Sequence, residues 1–407
     1  MKKFVCTALA VCMALSLVAC GGSGSSSSAA AGSSAAGGSS AAASTGEGGS
    51  IKVGLLANTS DANANYGNAV KNGAMLYIDE VNAAGGVNGK QIEVVAYDDK
   101  GEATEAVTAF NRLLDDGVTA VIGSVLTGTT LAVADESFAV GMPQITASAT
   151  APGVTLLDPE DESAGIRDNV FRACFIDPFQ GEKMAEYAAE KMGAKTAAVI
   201  FETGNDYSEG LKNAFVEKCA ELGVTVTNEE AYSTGDVDFK AQMTNIAKSA
   251  PDVVFSPNYY EDDGKIVTQA RQLGYEGTFL GGDGWSGVGP YASAEDLEGT
   301  VYCSAYAGDE KFESAYEAAY GEKVPNMFAP LGYDAAKLMV AALGEAEDQG
   351  LEAGSDEYKA AVIAALKATD GVEGVTGSYR FDEFNNPIKS AAMMQLQSGK
   401  EVFTEMF

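Results

Sequence analysis

The sequence predicts an α/β protein built from two doubly wound, parallel-sheet lobes. Three observations lead there. A strand-then-helix alternation runs from Ile51 to Ala147, and the same alternation restarts between Ala197 and Gly281. Once an N-terminal leader and a low-complexity tract are set aside, roughly 350 residues remain, enough to bury two cores.

Each element has a local reason. Ile51 to Ala57 is a short apolar run bounded by Asn58, Thr59 and Ser60, which marks a buried strand. Val70, Ala74, Ile78 and Val81 then fall on one helical face, and Gly85-Gly86 supplies the left-handed stop. Gln91 to Tyr97 reads as the next strand, ending at the turn acids Asp98-Asp99. Thr104 to Leu114 is a helix, Ala120 to Val125 a strand, Thr130 to Val140 a helix and Pro143 to Ala147 a strand. A loop-rich segment from Ala151 to Asp168 separates the two series. The second contains strands at Ala197 to Phe201, Val224 to Val226, Val253 to Ser256 and Thr278 to Gly281. Helices at Tyr207 to Leu222, Phe239 to Ala250 and Gly264 to Leu273 lie between them.

The N-terminus carries an address. Lys2 and Lys3 precede an apolar run from Phe4 to Val18, too short to span a bilayer as a helix and flanked like a secretory signal. Leu17-Val18-Ala19-Cys20 is similar to the lipobox of bacterial lipoproteins, which implies cleavage before Cys20 and lipid on its thiol. Gly21 to Ser50 is almost entirely Gly, Ser and Ala, a flexible tether with nothing to bury. The expectation is an extracytoplasmic protein, lipid-anchored to the outer face of the cell membrane.

Composition narrows the function. The chain holds 26 Lys and Arg against 58 Asp and Glu, a formal charge of −32, which excludes a nucleic-acid surface as its main business. With no histidine, Ser-His and Cys-His pairs cannot be assembled, and zinc sites lose their commonest ligand. A hydrolase using carboxylates alone stays open. Cys6 and Cys12 leave with the leader and Cys20 is taken by lipid; Cys174, Cys219 and Cys303 lie in apolar stretches and read as buried free thiols.

Ligands of doubly wound sheets bind beyond the carboxyl ends of the strands. After the third strand come Leu126-Thr127-Gly128-Thr129-Thr130, hydroxyls at a helix N-terminus that suit a carboxylate or serve as simple helix caps. After the fourth come Ser148-Ala149-Thr150. The second series places Tyr207, Tyr259-Tyr260 and Asp283 at the corresponding exits. Hydroxyls would thus face aromatics and one acid, a setting that satisfies both ends of a zwitterion.

An ordered series of segments then resembles a known family. Ile51 to Leu56 with Tyr66-Gly67, the run from Asp79 to Gly89, Tyr97-Asp98-Asp99, Val121-Ile122-Gly123, Tyr207 to Leu211 and Ala270 to Gly274 are similar to the leucine/isoleucine/valine-binding family of the type I periplasmic-binding fold. These proteins are the solute receptors of branched-chain amino acid ABC importers, and the similarity extends over nearly all of Ile51 to Phe407. The resemblance implies three chain crossings between lobes. The first lobe is then 51–176 with 305–391, and the second 177–304 with 392–407. It implies a ligand carboxylate on Thr127 and Thr150, and a ligand ammonium between the Ser148 carbonyl and Asp283, where family members often carry the longer Glu. Tyr66, Tyr207 and Tyr259 match cleft aromatics. Trp285, the one tryptophan, is placed to cover the ligand side chain or to pack in a loop or the hinge. A first-lobe disulfide known in some members maps onto Gly101 and Leu126, so the bridge is absent and Leu126 adds an apolar contact.

Other motifs fare worse. Gly282-x-Gly284-x-x-Gly287 formally fits a dinucleotide fingerprint, but Pro290 interrupts the adjoining stretch and no helix opens there. Asp61-x-Asn63-x-Asn65 starts like a calcium loop, yet Tyr66 and Asn72 stand where Gly and Glu are required. Glu261-Asp262-Asp263 reads as the acidic first turn of a helix. The sequence therefore predicts a non-enzymatic, monomeric receptor without cofactor or metal. It would bind a free amino acid, branched-chain or otherwise hydrophobic, and serve permease subunits coupled to a cytoplasmic ATPase. A sensor of an amide or other small polar solute, and a carboxylate surface hydrolase, are the alternatives.

Overall fold

A computed structural model describes residues 49–407. The leader, Cys20 and all of the tether before Gly49 lie outside the described residues.

The first sheet contains five parallel strands: β1 (Ser50–Ala57), β2 (Gln91–Asp98), β3 (Ala120–Ile122), β4 (Gln144–Thr146) and β5 (Val170–Arg172), in the order β2-β1-β3-β4-β5. Helices α1 (Ala64–Ala83), α2 (Ala103–Asp115) and α3 (Thr127–Ala139) connect its first four strands. The three residues of β3 and of β4 are all buried, as central strands covered on both faces must be.

From β5 the chain passes through α4 (Asp177–Glu186) into a second sheet. There it forms β6 (Thr196–Thr203), α5 (Asp206–Leu222), β7 (Thr225–Ser233), α6 (Lys240–Ser249), β8 (Val253–Phe255), α7 (Tyr260–Gln272) and β9 (Thr278–Gly281). α8 (Ala294–Leu297) then leads to β10 (Val301–Ser304). Helix α5 shows why such elements start and stop where they do: Asn205 caps it by accepting from the Tyr207 and Ser208 amides, and Gly223 ends it in the left-handed region at φ 73°. α7 opens at Tyr260, so Glu261, Asp262 and Asp263 do occupy its first turn.

The remaining chain returns to the first sheet as α9 (Glu310–Tyr320) and α10 (Phe328–Asp348), continues through α11 (Asp356–Lys367) and a ribbon of β11 (Asp370–Gly374) and β12 (Gly377–Arg380), and finishes as β13 (Ala392–Gln397) and β14 (Lys400–Met406) in the second sheet. It passes between the sheets three times. The second sheet corrects the all-parallel expectation. Its order is β14-β13-β10-β9-β8-β6-β7, and β13 and β14 run antiparallel to their neighbours. A tight turn at Ser398-Gly399 joins β13 to β14 and makes that pair antiparallel.

α10 lies against α1 with backbones nearly touching. A Cβ on Gly73 would sit 1.8 Å from the Ala329 carbonyl oxygen, and one on Gly332 would sit 2.3 Å from that of Val70. At the crossings, the buried Asp334 of α10 accepts from the Val375 amide (2.7 Å), the Thr376 amide (2.8 Å) and the Thr376 hydroxyl (2.7 Å). The Tyr379 hydroxyl stands 3.1 Å from Asp334 Oδ2 and 3.2 Å from the Ala173 carbonyl. Lys389 Nζ donates to Thr376 Oγ1 at 2.7 Å and lies 3.9 Å from the Tyr379 ring centre. Burial holds this amine down at about 8, against the pull of the Asp334 charge.

Gly73→Ala forces α1 off α10 and is expected to destabilise the protein by about 1–3 kcal/mol in denaturant unfolding, the usual cost of overpacking. Wild-type stability would refute this account of the contact.

Candidate functional site

In the first sheet the exits of β1, β3 and β4, and in the second those of β6, β8 and β9, converge on one small cavity. It is lined by Tyr66, Val125, Leu126, Thr127, Ser148, Tyr207, Tyr259, Asp283, Gly284 and Phe328. Its free volume is only ≈ 20 Å³.

On the first-lobe side, Asn58 after β1 donates to Asp61 Oδ1 (2.8 Å) and to the Asn63 carbonyl (3.0 Å), folding the turn that starts α1. This places Tyr66 in the first helical turn with its ring buried. Leu126 is the N-cap residue of α3 with no side-chain cap, so Thr127 opens the helix at the cavity, three residues earlier than the sequence suggested. Its hydroxyl is therefore not spent on capping, and the positive end of the helix faces the same space. Thr129 Oγ1 instead donates back to the Leu126 carbonyl at 3.0 Å. Ser148 Oγ donates to the Val125 carbonyl at 2.7 Å, stitching the exits of β3 and β4 together.

On the second-lobe side, the buried Asn258 joins two exits. Its Oδ1 accepts from Ser208 Oγ at 2.9 Å and from the Glu202 amide at 3.1 Å, and its Nδ2 donates to the Ile200 carbonyl at 3.0 Å. Tyr207 and Tyr259 are thereby stacked, centroids 5.1 Å apart and planes 9° from parallel. Tyr207 donates its hydroxyl to Asp283 Oδ1 at 2.8 Å and accepts from the Gly284 amide at 2.9 Å, while the Asp283 amide donates to Gln180 Oε1 at 2.9 Å. Burial pushes the Asp283 carboxyl up to about 6, opposed by the Tyr207 hydrogen bond. The charge of Asp283 and burial together raise the Tyr207 phenol well above its ordinary value, burial contributing most.

The two sides touch. Tyr66 donates to the Gly284 carbonyl and accepts from the Tyr260 amide at 3.0 Å, and Tyr260 donates to the Ala62 carbonyl at 2.9 Å. The Tyr66 ring meets Tyr260 edge-on at 4.5 Å and Phe328 at 4.6 Å. With so little free space behind these bonds, a solute can enter only when the lobes part. Wider furrows exist, among them one of ≈ 700 Å³ along Leu131, Pro152, Leu157 and Glu217, whose lining contains no aromatic residue.

Tyr66, Leu126, Thr127, Ser148, Tyr207, Tyr259 and Asp283 thus come together, and two expected residues do not. Trp285 is fully buried in the second-lobe core: its ring lies over Gly281, packs near Phe279 and donates to the Ser256 carbonyl at 2.7 Å. It therefore does not cover the cavity, because the short turn after Asp283 sends its side chain inward. Thr150 lies behind the lining, its hydroxyl beside the Asp177 carboxyl, which burial holds well above the usual carboxylate range. Val125, Gly284 and Phe328 were missed. Gly101 and Leu126 are neighbours, a Cβ on Gly101 falling 3.4 Å from Leu126 Cδ1. Cys174, Cys219 and Cys303 are buried and free, and burial lifts the first two thiols to about 12.

Residues 50–401 match the model of the periplasmic binding protein family. The chain belongs to that family. It is 31% identical over 360 residues to the Leu/Ile/Val-binding protein BraC3 of Rhizobium johnstonii, covering 87% of this chain and 94% of that one. The leucine-, isoleucine-, valine-, threonine- and alanine-binding protein of Pseudomonas aeruginosa is 30% identical, with 82% and 86% covered. Among solved structures, the branched-chain amino acid transporter substrate-binding protein LivJ of Streptococcus pneumoniae in complex with isoleucine gives a TM-score of 0.79 at 33% identity, covering 88% of this chain and 99% of that one. The leucine-binding protein LivK of Thermotoga maritima gives 0.78 at 30%, covering 88% and 98%. Periplasmic binding proteins bind solutes and do not turn them over. A hydrolase would need two acids at the cavity, and its lining contains Asp283 alone.

Tyr207→Phe removes the hydrogen bond that favours the Asp283 carboxylate, and should raise its titration midpoint by about one unit, followed by carboxyl-carbon NMR. An unmoved midpoint would show that Tyr207 does not tune this acid.

Proposed function

We propose that this protein is an extracytoplasmic receptor that closes two lobes around a free branched-chain or similarly hydrophobic amino acid and delivers it to an ABC permease. One observation carries the reading: a single carboxylate, Asp283, lies in a cavity walled by Tyr66, Tyr207, Tyr259, Leu126 and Phe328 and faced by the N-terminus of α3. An α-ammonium pairs with Asp283 and the Ser148 carbonyl, and an α-carboxylate meets the Thr127 hydroxyl and the free amides of the helix end. The apolar side chain is left to the rings and Leu126. The names of BraC3, LivJ and LivK support this class of ligand.

The moving bodies are residues 51–176 with 305–391 and residues 177–304 with 392–407. A ligand that touches Thr127 and Asp283 at once gains both contacts only in the closed form, so binding shifts the population toward closure. Attachment is through lipid on Cys20, with residues 21–50 as the tether that lets a monomeric receptor reach permease subunits coupled to a cytoplasmic ATPase. Cys20→Ala should release the protein from the membrane fraction; retention there would remove the anchor.

Calorimetric titration of protein unfolded and refolded to strip carried-over ligand should show tight binding of L-leucine, L-isoleucine or L-valine. Asp283→Ala should weaken it at least tenfold. Silence toward all free amino acids, from folded protein, would overturn the ligand class. Because the Asp283 carboxyl sits at about 6, its charge is present above that pH and lost below it, so affinity should fall about tenfold from pH 7 to pH 5. A flat profile would take Asp283 out of the ammonium site.

A further inference from the structure

The turn that carries Asp283 is held from below by a residue far away in sequence. Glu401, on the last strand β14, accepts from the Gly287 amide at 2.6 Å through Oε1. Its Oε2 accepts from the Tyr302 hydroxyl of β10 at 2.6 Å and, over a longer 3.4 Å, from the Ser286 hydroxyl. Ser286 in turn binds in two directions: its amide donates to the Asp283 carbonyl at 3.0 Å, and its Oγ accepts from the Met327 amide, also at 3.0 Å. Met327 is the N-cap residue of α10, and the first residue of that helix is Phe328, which walls the cavity. Ser286 is 1% exposed and Met327 2%, so neither group of this bond has water as a substitute while the lobes are shut.

We propose that Glu401 is a positioning residue for ligand retention, acting through Ser286. It fixes the turn that presents Asp283 and orients the Ser286 hydroxyl so that its lone pair meets the end of α10, tying the second lobe to the first. The Met327–Ser286 bond joins the turn after β9 in the second lobe to the start of α10 in the first, and on this proposal it breaks when the cleft opens. It therefore opposes opening and acts on ligand escape rather than on capture. The hydrogen bonds of Glu401 go to Ser286, Gly287 and Tyr302, none of which lines the cavity, so it acts there through the turn and the helix end. This inference rests on the cleft being the binding site.

The test is stopped-flow binding of L-isoleucine to wild type, Glu401→Ala, Glu401→Gln, Ser286→Ala, the Glu401→Ala/Ser286→Ala double variant and, as a control on the site itself, Asp283→Ala. Glu401→Ala and Ser286→Ala should each raise koff about tenfold with kon within twofold. The double variant should be no worse than either alone, and Glu401→Gln, which keeps an oxygen for Gly287, should lie closer to wild type. A koff unchanged in both single variants, or effects that simply multiply in the double variant, would overturn the relay even while Asp283→Ala abolishes binding. If L-isoleucine does not bind the wild type, the ligand reading fails separately. The relay then stands or falls on small-angle scattering of the ligand-free proteins: both single variants should be more open than wild type, and identical scattering would overturn it.

Discussion

The carboxylate of Asp334 is the interaction on which the arrangement of the two lobes depends. It sits in the second turn of α10, buried, and satisfies two amides and a hydroxyl of the segment after β11. Tyr379 extends the network to the carbonyl of Ala173, on the first crossing, and Lys389 brings in the third. A charge so placed is tolerable only because its partners are complete. Stripping one side of such a network leaves donors buried without acceptors, which costs on the order of 3–5 kcal/mol. The hub is also local: it ties the chain crossings to α10 and shares no residue with the cavity lining.

The cleft uses the opposite strategy. Its walls are rings and one acid whose satisfaction inside the protein is partial. Asp283 receives a hydroxyl from Tyr207, and burial still holds it up at about 6. The aromatic stack of Tyr207 and Tyr259 adds stiffness, because flat side chains with few rotamers have little freedom to lose.

Much of this was legible in the residues. The alternation of strands and helices gave β1 to β4 of the first sheet and β6 to β9 of the second, and reading outward from strand ends found Thr127, Ser148, Tyr207, Tyr259 and Asp283, since doubly wound sheets present their carboxyl ends to the cleft. What stayed hidden has physical reasons. Phe328 reaches the cavity from the far side of the second crossing, and nothing local to Pro325-Asn326-Met327 says where a returning chain will dock. Trp285 follows Asp283 by two residues, but in a tight turn that spacing puts the indole on the core side of β9 rather than in the cleft. β7 runs Thr225–Ser233, longer than its apolar stretch, because it is an edge strand whose alternate residues face water. The closing hairpin of β13 and β14 reverses direction through two residues, a choice fixed by chain connectivity and not by composition.

The seclusion of Trp285 also decides how this molecule emits light. The chain has one indole, sealed beneath Gly281 with its N–H bound to a carbonyl, while three of its 17 tyrosines line the cleft. Its fluorescence is therefore a gauge of whether the second lobe's core is intact, and the chromophores that line the cleft are phenols.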